Sequence, residues 1–80
     1  MRFRGKVGRN QRELSISGDF VERPGSIEGT FQLPEGEHLD LTASDYRLTL
    51  GDGRSFLIRI LNIDYGEEHD QVRFKSNGPF

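Results

Sequence analysis

The sequence predicts an all-β fold: a small antiparallel meander of about six strands, closed as a barrel or as a two-layer sandwich. Three observations carry this expectation. Apolar residues recur at period two in six separate segments, turn sequences rich in Gly, Pro and Asp separate them, and none is linked to the next by an amphipathic helical stretch. Closure follows from the need to pair or cover the edges that an open sheet would expose.

Residues 2 to 7 place Phe3, Gly5 and Val7 on one face and Arg2, Arg4 and Lys6 on the other, the pattern of a half-buried strand with a cationic outer face. Turn chemistry from Gly8 to Gln11 precedes a second alternation through Leu14, Ile16, Gly18 and Phe20. Glu22-Arg23-Pro24-Gly25 is a strong turn signal, because Pro fixes one φ and Gly accepts a positive one. Ile27, Gly29, Phe31 and Leu33 then mark a third strand, paired with the second as a hairpin. Pro34 to Ser44 is the longest irregular stretch, and its Pro and Gly make it a loop.

Tyr46, Leu48 and Leu50 alternate into Gly51-Asp52-Gly53-Arg54, beyond which Phe56, Ile58 and Ile60 resume the pattern as the clearest hairpin of the chain. The strand after this turn is apolar on its opposite face as well, through Leu57, Leu61, Ile63 and Tyr65, interrupted by Arg59. Such a strand is central, bends across two sheets, or meets another subunit. Gly66 to Asp70 reads as an acidic connecting turn, Val72 and Phe74 as a last strand, and 76–80 as a frayed tail. Gly5, Gly18 and Gly29 interrupt the inward positions of three successive strands, which points to bulges or sharp bends at barrel corners, with close approach to a ligand as the second reading. Each half of the chain holds a hairpin followed by an acidic loop, without a residue-level repeat.

Eighty residues suffice for one core, so a single domain over 1–80 is expected, with stability on the order of 5 kcal/mol. The absence of Cys removes disulfides and thiolate metal sites, which favours a cytoplasmic address. No stretch approaches the roughly 20 apolar residues of a membrane span, and the first residues lack the apolar segment of a signal peptide; a soluble chain without a membrane partner is expected. The net charge of −2 hides an asymmetry: Arg2, Arg4, Lys6, Arg9 and Arg12 give the first twelve residues +5, while six basic and thirteen acidic residues give the remainder −7.

Function classes narrow from these residues. His38 lies with Glu35, Glu37 and Asp40, and His69 with Glu67, Glu68 and Asp70, so two adjacent loops would offer imidazoles and carboxylates to a metal; the spacing fits no established ligand pattern, and solvated turns are the expectation. An enzyme is not expected, because a domain this small barely builds the concave, desolvated site that acid and base groups need, and no Cys or elbow Ser supplies a nucleophile. Gly51-Asp52-Gly53 lacks the Lys and the helix N-terminus of a phosphate loop, so neither a cofactor nor a small-molecule substrate is indicated. The stripe Arg2, Arg4, Lys6 suits a phosphate backbone, which keeps nucleic acid as the second reading, although no outward aromatic interleaves with it to stack bases. The leading expectation is a protein-interaction or assembly module, with a protein partner or self-association through Arg2, Arg4, Lys6, Leu57, Arg59, Leu61, Ile63 and Tyr65.

Overall fold

The computed structural model describes residues 1–39 and 46–76. Six strands form in chain order: β1 (Arg2–Arg9), β2 (Arg12–Arg23), β3 (Ser26–Gln32), β4 (Tyr46–Leu50), β5 (Ser55–Asp64) and β6 (Gln71–Ser76). All pairings are antiparallel, and the ladder closes into a barrel in the order β1-β2-β3-β6-β5-β4. Closure is therefore by barrel and not by sandwich.

The order also refines the expected meander. β1-β2-β3 and β4-β5-β6 are two three-stranded meanders joined along two seams, β1 with β4 and β3 with β6. β3 and β4 are not neighbours, because the chain between them is too long for a hairpin and departs toward β6: the Leu33 N–H donates to the Asp70 carbonyl at 2.9 Å, prolonging the β3–β6 ladder. None of the described residues forms a helix long and apolar enough to cross a membrane.

The core is built from the inward series that the alternation marks. Phe3, Val7, Ile16, Phe20, Ile27 and Phe31 come from the first meander, and Leu48, Ile58, Ile60, Val72 and Phe74 are among those from the second. Phe74 is the meeting point, with ring centroids 5.6 Å from Phe31 and 6.2 Å from Phe3, the latter edge-on. Leu14 and Leu39 pack against this cluster from the partly exposed end.

The inward glycines sit where strands cross closely. A Cβ on Gly18 would lie 1.9 Å from the Thr30 carbonyl oxygen, and one on Gly5 would lie 2.2 Å from that of Thr49. What selects glycine at these positions is close backbone approach across the ladder, which leaves no room for a side chain.

Two expectations are corrected. Ile63 does not share the outer face of β5. The β5–β6 register shifts between Ile60 and Asn62, so Leu61 is the extra residue of a bulge and Ile63 returns to the interior opposite Val72, only 8% exposed. Ser76 does not belong to a tail either: it ends β6, is buried, and its hydroxyl accepts the Ile27 N–H at 2.8 Å. Residues 77–80 lie outside the described residues. Ser76→Ala would orphan that buried N–H, and a loss of about 1–3 kcal/mol is expected. Urea unfolding checks this through a lower midpoint at unchanged slope; an unmoved midpoint would mean that the hydroxyl contributes nothing.

Candidate interaction surfaces

The connections gather at the two ends of the barrel. At one end lie the β1–β2 turn, the chain leaving β3 and the β5–β6 loop. The turn residues Asn10 and Gln11 both have positive φ, 54° and 68°, which makes a tight two-residue hairpin whose twist matches the strands. Arg12 fastens this turn to the chain after β3 by an ion pair with Glu37 at 2.9 Å.

At the opposite end, Arg54 ties the β4–β5 turn to β2. Its guanidinium donates to Glu22 and, at 2.9 Å, to Asp52, and it sits 5.9 Å from the Phe20 ring centroid. The Arg54 backbone N–H, with its side chain behind it, holds the Asp52 carboxyl below its ordinary range; Glu22 and then Asp52 raise the Arg54 pKa. Gly51-Asp52-Gly53 is thus part of a turn lock.

The outer wall carries the residues that the sequence singled out, and strand order brings them together. β4 lies between β1 and β5, with Lys6 opposite Thr49 and Arg47 opposite Leu57, while Arg59 on β5 faces Lys75 on β6. One side of the barrel therefore presents Arg4, Lys6, Arg47, Leu57, Arg59 and Leu61. Leu57 and Leu61 are 39% and 44% exposed, and no inward role remains for them because Phe56, Ile58, Ile60 and Ile63 already serve the core.

Charge on this wall is uncompensated. Among the described residues Arg4, Lys6, Arg59 and Arg73 make no ion pair, and Arg47 donates only to the Ser55 hydroxyl, at 3.1 Å. Arg2 stands apart, 3.9 Å from Asp19. Tyr65 lies beyond the end of β5, highly exposed and away from the two leucines in register.

The two acidic loops do meet. Glu35, Glu37 and His38 share a small cleft of about 160 Å³ with Glu67, Glu68 and His69. Asp40 lies outside the described residues. Among those described, no three His, Asp or Glu side chains are grouped so as to hold a metal ion, and both imidazoles are exposed.

Arg47 escaped the sequence reading, because its place beside Leu57 depends on β4 pairing with β5 in one particular register. No protein-family model, curated protein or solved structure matches the chain.

Proposed function

We propose that the chain is a non-catalytic protein-interaction module that docks through the outer wall of β4 and β5. The observation carrying this reading is the pair of exposed leucines, Leu57 and Leu61, on a strand whose inward side chains already fill the core. Arg47 and Arg59 frame them, so the complementary partner is a protein surface that is apolar at its centre and carries carboxylates at its rim. Covering what remains exposed of each leucine contributes on the order of 1 kcal/mol, and the strands that hold them are already ordered, so little is lost on docking.

An NMR titration tests this reading, with a synthetic helical peptide that presents leucines flanked by glutamates. Amide shifts centred on Leu57, Arg59 and Leu61 are expected, and Leu57→Asp with Leu61→Asp is expected to abolish them while leaving the rest of the spectrum in place. If peptide up to about 1 mM, the weakest affinity worth calling specific, shifts nothing there, the wall is not a docking face. Light scattering on the free chain identifies self-association as the alternative use of the same wall.

The second reading is single-stranded nucleic acid held by Arg4 and Lys6. It is favoured by the open groove these cations line beside Ser15, Ser17 and Thr49. A platform for stacked bases is missing there, since Tyr65 is the one strongly exposed aromatic among the described residues and lies elsewhere. In the same titration an oligonucleotide that shifts Arg4 and Lys6, and loses its effect with added salt, would replace the first reading with this one.

A further inference from the structure

β2 is longer than its neighbour can follow. It runs for 12 residues and β3 for 7, and their ladder stops at Ser17 opposite Gln32. Leu33 then turns its N–H to Asp70, and Pro34 has none to give. From Arg12 to Ile16, β2 is paired on one side only, with β1.

In an antiparallel ladder successive residues aim their N–H and C=O groups to opposite sides. Phe20 donates toward β1, to the Met1 carbonyl at 2.8 Å, so the even-numbered residues of β2 face β1 and the odd-numbered ones face β3. Glu13 and Ser15 consequently aim both backbone groups into the gap that β3 has left. Among the described residues nothing pairs with them there.

The gap opens into a groove of about 1420 Å³. Four carboxylates line it, Glu13 from β2 and Glu35, Glu67 and Glu68 from the loops opposite. None of the four makes an ion pair among the described residues. The cations of the groove, Arg4 and Lys6, stand on β1, one strand spacing behind the edge.

We infer that an extended segment of a partner protein, with basic side chains at alternate positions, adds as a strand along β2 at Glu13 to Ser15. Backbone hydrogen bonds supply the attachment, and the carboxylates choose the side chains, with a lysine or arginine opposite Glu13. A second copy is disfavoured as occupant, because its edge would set Ser15 opposite Glu13 and bring no cation to the four carboxylates of the groove. This surface adjoins the leucine wall, since Glu13 also lines a cleft with Arg47 and Leu57, but it stands on backbone groups of β2, so either can fail without the other.

Amide hydrogen exchange reads the proposal directly, using a short blocked peptide that alternates lysine and valine. In the free chain Glu13 and Ser15 are expected to exchange fast between slow neighbours Leu14 and Ile16. Added peptide is expected to slow Glu13 and Ser15 by about tenfold or more while Leu14 and Ile16 keep their rates. Ser15→Pro removes the groove-facing N–H without touching the β1 ladder, so the fold should persist and the protection should vanish. Glu67→Lys with Glu68→Lys, on the loop and away from any ladder, should weaken the effect about tenfold and serves if the proline variant misfolds. Equal protection by the same peptide with glutamate for lysine would overturn the basic occupant. Protection that rises with protein concentration alone would assign the edge to a second copy, and no peptide effect at all would overturn strand addition.

Discussion

Phe74→Ala is expected to leave a large part of the population unfolded at room temperature. Phe74 is fully buried on β6, which is paired with β3 on one side and β5 on the other, and its ring touches both Phe31 and Phe3. Truncation removes the ring through which β6 meets Phe3 and Phe31 of the first meander, and leaves a cavity that surrounding backbone, fixed by two ladders, cannot fill. Such substitutions cost about 3–5 kcal/mol. A domain of this size holds on the order of 5 kcal/mol in all, so the loss is comparable with the whole stability. Urea unfolding followed by circular dichroism measures it. A loss under about 1 kcal/mol would show that the core does not converge on Phe74.

The next largest effect comes from adding a single methyl group. Gly18→Ala would ordinarily gain a few tenths of a kcal/mol by restricting the unfolded chain. Here the new carbon would stand 1.9 Å from the Thr30 carbonyl oxygen and 2.7 Å from the Phe31 Cα, atoms of the backbone that no rotamer change can move aside. β2 and β3 would have to separate around the Gly18–Phe31 pair, and about 3 kcal/mol is the expected cost. For a domain of 60–100 residues this lowers the melting temperature by about 12 °C or more. Gly25→Ala is the control: φ is +79° but nothing lies within 4 Å, so only the backbone penalty of about 1–2 kcal/mol applies. If the two variants melt together, close strand crossing at Gly18 is not what selects glycine.

Much of this architecture was legible in the sequence. Period-two alternation marks most inward residues, failing at Ile63 and Ser76, because a half-buried strand has no other way to be apolar inside and polar outside, and the hairpins announce themselves by Pro24-Gly25 and Gly51-Asp52-Gly53. Strand order was not legible. It depends on whether the chain after Leu33 returns to β2 or crosses to β6, a choice made by tertiary pairing. Without it, Arg4 and Lys6 on β1 and Leu57 and Leu61 on β5 have no defined distance, and the half-paired stretch of β2 cannot be seen.

The bulge at Leu61 lies between these cases. Phe56, Ile58 and Ile60 run in even phase and Ile63 in odd phase, and two apolar series out of step within one strand are the mark of an inserted residue. Read without the insertion, the odd series gives an apolar outer face reaching Ile63. With it, the outer apolar surface shrinks to Leu57 and Leu61, which is a more selective patch.

The two seams between the halves carry a further consequence. Because β1 meets β4 and β3 meets β6, neither meander can close a barrel by itself, and every bond across the seams joins residues from different halves of the chain. The covalent connection between Gln32 and Tyr46 raises the local concentration of one half around the other, and its described part makes contacts of its own, Leu33 in the core and Glu37 with Arg12. Two molecules that trade their second halves would rebuild both barrels from the same seams, at the cost of reopening that connection alone. Exchange of this kind makes a dimer without any new surface, and it places the control of oligomeric state in the length and stiffness of one tether.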